Sequence, residues 1–192
     1  MNRSNTRRTG VWFAIIGVIV CAIVCVCGCD PATAGLTEPT TYSKHGITFK
    51  HPKNWTVEAE VHTKGVISLD VDTVGNAVFL VLVQPEIDAP SLAEYATNMA
   101  QGEARLTPSA MRSKFSSLEA DPSNDNRLTQ KMSITGLGVT VPHQREYRRI
   151  ISSDLANKRV AFLQWQSAVE DANETAQGAK LIFDSFRFTK EE

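Results

Sequence analysis

Few side chains in this 192-residue sequence have the type and spacing for chemistry. His45 and His51 share strand parity, and Asp70 and Asp72 project from one face of a second strand, the minimum for a histidine–carboxylate metal site. Their spacing fits no recognised ligand pattern: there is no HxH, no HExxH and no calcium loop, so solvated strand faces are the expected role and no metal is assigned. His143 and Tyr147 have the parity for acid–base work, yet a lone histidine beside Pro142 in a strand is more often structural. A nucleophile elbow of the G-x-S-x-G type is absent, and Gly136-Leu137-Gly138 lies between two strands instead of opening a helix, which argues against a dinucleotide loop. The reading assigns no catalytic residue and no cofactor.

The densest charge feature is Gln144 to Arg149 (QREYRR), with Lys158 and Arg159 on the next strand. Arg145, Tyr147, Arg148 and Arg149 are the candidate interaction patch, a basic surface beside a tyrosine that could take an anionic partner or lipid headgroups. The plainer role is a solvated sheet face whose charges guard against edge pairing.

All four cysteines, Cys21, Cys25, Cys27 and Cys29, fall in or at the end of one apolar run, Val11 to Cys29. The chain after it holds no cysteine, which excludes a disulfide scaffold, a thiolate zinc site and a cysteine nucleophile there. Arg3, Arg7 and Arg8 precede the run with no acidic residue, the charge pattern of a segment whose N-terminus stays in the cytoplasm. Two fates are open: cleavage with lipidation, or an uncleaved transmembrane anchor, for which roughly 18 apolar residues suffice. Val26-Cys27-Gly28-Cys29 resembles a lipobox, with an aliphatic residue at −3 and glycine at −1, although Cys27 stands where alanine or serine is usual. Cys29 is then the lipidated N-terminus and the membrane a partner through that lipid. Removing residues 1–28 takes three of the 20 basic residues and none of the 21 acidic ones, leaving a net charge of −4. No nucleic acid is expected on such a domain.

These residues need elements to position them. Residues 29–44, rich in Pro, Thr, Ala and Gly, read as a flexible tether, and residues 45–190 as a single domain. Ile47 to Phe49 and the stretch from Trp55 read as strands around the His51-Pro52 turn, and Ile67, Leu69 and Val71 alternate with polar neighbours. Ala77 to Val83 is apolar at consecutive positions, as in a central strand covered on both faces. Ser91 and Glu94 form a capping box that opens a helix carrying Leu92, Tyr95, Ala96 and Met99 on one side. A short strand near Phe115, a polar loop at residues 121–126, a hairpin of Leu128–Thr135 with Val139–Ser152, a strand over Lys158–Gln166 and a helix over Val169–Phe183 follow. Phe186 to Phe188 closes the domain as a strand. The sum is an α+β fold, an antiparallel sheet with two helices, whose core includes Trp55, Phe79, Leu82, Phe162 and Trp165.

The opening Tyr42…Gly46-Ile-Thr-Phe-Lys-His-Pro-Lys-Asn-Trp55 and the closing Ile182-Phe-Asp-Ser-Phe-Arg-Phe188 resemble the two ends of PsbP-like domains, a group that includes PsbP, the Ran-binding Mog protein and many bacterial lipoproteins. The resemblance covers about residues 42–188 in element order and implies an α/β/α sandwich around an antiparallel sheet. It implies no shared activity, since members bind different partners, and it places no functional residue here. The expected function is a non-catalytic binding module outside the cytoplasm, held at the cell membrane and acting on a protein or envelope partner. A periplasmic enzyme or small-ligand carrier, with a pocket between helix and sheet, is the alternative. The intact mass of membrane-extracted protein tests the anchor. A diacylated or triacylated chain beginning at Cys29 is expected, and an unlipidated chain retaining Met1 would leave the transmembrane anchor instead.

Overall fold

The computed structural model describes residues 33–63, 65–154 and 158–190. Cys29 and the apolar run lie outside the described residues. Eleven strands and two helices appear in the order β1 (Thr40–Lys44), β2 (Ile47–His51), β3 (Thr56–Thr63), β4 (Val66–Asp72), β5 (Ala77–Pro85), α1 (Leu92–Leu106), β6 (Met111–Phe115), β7 (Glu119–Asp121), β8 (Asn124–Gly136), β9 (Val139–Ile151), β10 (Arg159–Ala168), α2 (Ala172–Ser185) and β11 (Arg187–Phe188). The large sheet runs β3-β4-β5-β10-β9-β8-β6, with β7 also on β8, and a small sheet runs β1-β2-β11. Every pairing among the described residues is antiparallel. The fold is α+β as expected, with α1 on one face of the large sheet and α2, beside the small sheet, on the other.

Alternation decides which face each side chain serves. Ile67, Leu69, Val71, Phe79, Val81, Val83, Leu163 and Trp165 point toward α2 and meet Trp55, Phe49, Ile182 and Phe186 in the larger core. Leu92, Tyr95, Ala96, Leu128, Tyr147, Val160 and Phe162 form the smaller core under α1. Of the expected core residues, Trp55, Phe79, Phe162 and Trp165 are buried, whereas Leu82 is only partly covered at the margin of the α1 side. The apolar run of β5 therefore has one fully buried face and one half-buried face, because α1 lies mainly over β6, β8 and β9, further across the sheet.

The helix signals were sound at α1 and shifted at α2. Ser91 Oγ accepts from the Glu94 amide at 3.2 Å while the Glu94 carboxylate accepts from the Ser91 amide at 2.8 Å, completing the capping box. The second helix starts at Ala172, three residues later than Val169, because β10 runs to Ala168 and the Val169 amide donates to the Pro142 carbonyl (2.9 Å); Asp171 spends its carboxylate on the Asn76 amide (2.8 Å) and leaves the helix without a side-chain cap.

The largest correction concerns the tether. Residues 33–44, expected to be a free linker, belong to the domain. Thr40–Lys44 pairs with β2, and Tyr42 is buried and stacks on Phe49 with ring centroids 5.0 Å apart. Upstream, the Asn54 side chain accepts from the Gly35 amide (2.7 Å) and donates to the Thr33 carbonyl (2.9 Å), while the Ala34 amide donates to Glu174 of α2 (3.2 Å). One buried aromatic in five strand residues leaves little periodicity to read, and a side-chain amide standing in for a strand partner leaves none.

The large sheet has two ends. The upper end holds Thr56, Asp72, Ala77, Ala168 and the start of α2, with the β8–β9 turn beyond them; the lower end holds Pro85, Ile151, Arg159 and the close of α2.

Packing of α2 onto β2 depends on Gly178. A Cβ there would sit 2.6 Å from the Trp55 ring and 2.8 Å from Pro52. Glycine to alanine in a helix interior ordinarily stabilises by up to about 1 kcal/mol. Here Gly178→Ala is expected to destabilise instead, by about 1–3 kcal/mol from overpacking, as a drop in the urea midpoint of the folded chain.

Candidate functional site

Strand parity divides the four residues expected to form one basic patch. Arg145 and Tyr147 point toward α1 and are fully buried, while Arg148 points to the opposite face and leans over the Phe183 ring at 4.2 Å. Only Arg148 and Arg149 reach an accessible surface, and by parity they do so on opposite faces of the sheet. The expected patch is thus divided between the two faces, because the charge run was read along the chain and β9 presents it alternately to two layers.

Arg145 clamps α1 to the sheet. Its guanidinium pairs with Glu103 of α1, donates from Nε to Gln166 Oε1 at 2.7 Å and from Nη1 to the Tyr147 hydroxyl at 3.3 Å, and lies 5.1 Å over the Phe115 ring. Tyr147 in turn donates to Gln130 Oε1 at 3.2 Å, and Gln130 donates to the Ser116 carbonyl at 2.9 Å. The network is satisfied on both sides of the layer, which is what makes a buried guanidinium tolerable. Burial pushes the Tyr95 and Tyr147 hydroxyls up, so both stay protonated at neutral pH.

On the other face the charges form a balanced ladder. Asp121 pairs with Arg127, Arg127 with Glu146, Glu146 with Arg148, Arg148 with Asp184 and Asp184 with Lys180. Two hydrogen bonds from Ser123, then Arg127, hold the Asp121 carboxyl below its usual range, and Lys180, then Arg148, do the same to Asp184. Arg148 is therefore neutralised by its neighbours.

Beyond the ladder, at the lower end, lies an open groove of about 610 Å3. Phe183, Phe186, Phe188 and Ile150 give it an apolar lining, and Arg148, Arg149 and Arg187 line it with cations. Neither Arg149 nor Arg187 has an acidic partner among the described residues, and the buried Nε of Arg149 has no hydrogen-bond partner among them. Arg187 and the three phenylalanines were not among the candidates from sequence. Their signal was the closing Phe186-Arg-Phe188 motif, read only as a structural end.

The other candidates are dispersed. His45 sits in the β1–β2 turn against Glu60 and stacks near His62 at 4.8 Å, whereas His51 is buried on β2 and its Nδ1 donates to the Pro52 carbonyl at 3.0 Å. Asp70 and Asp72 face away from both, on the α1 side of the sheet, and burial and Glu58 raise the Asp70 carboxyl. No group of three or more His, Cys, Asp or Glu among the described residues is placed to hold a metal ion. His143 is four residues along the strand from Tyr147, and burial lowers its imidazole below the ordinary range while its Nδ1 meets the Val141 carbonyl at 3.1 Å. The space between α1 and the sheet is filled, with Tyr95 stacked on Phe162 at 4.4 Å. Among the described residues no helix is long and apolar enough to cross a membrane.

No protein-family model matches this chain, and no curated protein matches it either. Among solved structures it is similar to the solution structure of cyanobacterial PsbP (CyanoP) from Synechocystis sp. PCC 6803, at 12% identity and a TM-score of 0.49, over 85% of this chain and 98% of that one. It is also similar to the crystal structure of LpqN of Mycobacterium tuberculosis, a protein involved in cell envelope biogenesis, at 13% identity and a TM-score of 0.38, over 80% of this chain and 91% of that one.

The Arg145 clamp makes a stability prediction. Arg145→Ala strands Glu103 against a buried layer and is expected to cost about 3–5 kcal/mol. Replacing both partners, Arg145→Met with Glu103→Leu, should recover most of that loss. Thermal or urea unfolding of the three variants measures the cycle; an equally unstable double variant would show that the rest of the network, and not the pair, carries the effect.

Proposed function

We propose that this protein is a lipoprotein anchored at Cys29, whose extracytoplasmic domain binds an anionic protein or envelope component in the groove at its lower end and catalyses no reaction. The observation that carries this reading is Arg187, without an acidic partner among the described residues, in a groove lined by Ile150 and Phe188, with Arg149 at the rim from the other face of the sheet and likewise without an acidic partner among them. Unpaired guanidinium groups beside aromatic carbons are the composition found at the energetic centre of interfaces, where Arg and aromatics dominate. Arg148 contributes position more than charge, because Glu146 and Asp184 already compensate it.

The anchoring half of the proposal rests on Arg3, Arg7 and Arg8, the apolar run and Val26-Cys27-Gly28-Cys29. The non-catalytic half rests on the dispersion of the titratable groups, with His143 and Tyr147 engaged in separate local contacts.

Crosslinking and co-purification of the membrane-bound full chain tests the groove. Arg149→Glu, and separately Arg187→Glu, are expected to weaken capture of a reproducible partner by about tenfold or more, with the fold unchanged by circular dichroism. Capture unaffected by either change would move the interface elsewhere, and turnover of any substrate lost on changing His143 would replace the binding module with an enzyme.

A further inference from the structure

Three exposed apolar side chains lie at or beyond the upper end, and Ile87 and Ile151 are exposed at the lower end. Leu137 is 98% exposed, Val139 62% and Val169 49%, with Val169 beside the start of α2 and the other two at the tip of the β8–β9 hairpin beyond it. The β8–β9 hairpin carries the first two outward. The ladder between β9 and β10 stops at His143 and Ala168, and the hairpin continues a further five residues to Gly138, roughly 17 Å at about 3.4 Å per residue.

Leu137 suits neither water nor its own turn. The two-residue connection Leu137-Gly138 has φ values of 51° and 80°, both left-handed. Such turns favour asparagine, aspartate or glycine, whose short polar side chains or missing Cβ reduce the cost of that conformation. Leucine pays the strain and buries nothing within the domain. A leucine in this turn gains from an apolar contact outside the described residues what it loses in strain and exposure.

The N-terminal geometry supplies one. Ala34 donates to Glu174 in the first turn of α2, and Thr175 lies level with Ser167 through a 3.2 Å hydroxyl contact, so the described chain begins level with the end of β10. From Thr33 back to Cys29 is four residues, a reach of at most roughly 14 Å however they are arranged. Whatever the course of those residues, Cys29 stays within about 14 Å of Thr33, on the order of the hairpin's overhang.

We infer that the Leu137 tip, with Val139, inserts into the lipid–water interface of the bilayer that holds Cys29, and that this second contact orients the domain with its arginine groove away from the membrane. The inference rests on the anchoring proposed above. Arg112 stands opposite Thr135 beside the tip, a cation where headgroup phosphates would lie, while Glu170, Asp171 and Asp72 stand further back along the sheet. Two aliphatic side chains would not hold a free protein on a bilayer, but the covalent lipid makes their insertion an intramolecular step at high effective concentration.

The test uses the full chain in vesicles of phosphatidylethanolamine and phosphatidylglycerol, with a benzophenone-bearing residue placed at Val139 or, as control, at Ile87, which is 92% exposed at the lower end. Lipid adducts at position 139 should exceed those at 87 by about tenfold, the bias expected from burying one leucine. Leu137→Asn, which suits the turn, should cut adducts at 139 by about tenfold while leaving the unfolding midpoint unchanged or higher. A chain that fails to float with vesicles overturns the anchor and this inference together. A chain that floats yet gives equal adducts at the two positions, adducts at 139 untouched by Leu137→Asn, or adducts to a second copy of the chain, overturns the insertion alone.

Discussion

Every side chain of β10 from Val160 to Ala168 is buried, and that constraint organises the rest. A strand at the middle of a sheet shows alternate residues to opposite faces, so complete burial requires a layer on each side. On one side Leu163 and Trp165 demand α2 and the small sheet; on the other Val160 and Phe162 demand α1. The two layers are secured differently. α2 approaches closely enough for its Gly178 to touch the Trp55 ring, a packing solution that tolerates no added methyl group. α1 is secured by a buried ion pair between Glu103 and Arg145 and by the hydrogen bonds around it.

That division sorts the charges of β9. Odd positions look toward α1 and even positions toward α2, so a run of basic residues serves two unrelated purposes. Arg145 is structural, and Arg148 is a rung in an ion-pair ladder whose acids and bases balance. Arg149 and Arg187 have no acidic partner among the described residues, and they line the groove where the sheet ends. Functional asymmetry here arises from where the ladder stops, not from the density of charge in the sequence.

The elements legible in sequence were those whose local chemistry and tertiary role agree. The capping box at Ser91 and Glu94 marked α1, strict alternation marked β4, and Gly136-Leu137-Gly138 marked the hairpin. β1 was not legible, since its partner is supplied by β2 and its upstream segment by the Asn54 side chain. The burial of Arg145 had a faint signal: its parity with Tyr147 and, across the ladder, with Gln130 and Gln166. Its acidic partner lies 42 residues away on a helix whose polar face looks solvated, and nothing local connects the two. The groove joins the close of α2 to strands far earlier in the chain, and such a juxtaposition is a property of topology.

The Asn54 amide has a mechanical consequence. It grips the backbone on both sides of Ala34 from the turn between β2 and β3, while Ala34 itself is tied to α2. A pull on the N-terminus, such as lateral drag from an anchored lipid, would not begin by peeling β1 from the edge of the small sheet. It would load Asn54 and the first turn of α2 at once, and so pass directly into the helix and the large sheet. The latch shields the weakest strand from tension and makes the well-packed Trp55 region the part of the molecule that carries force.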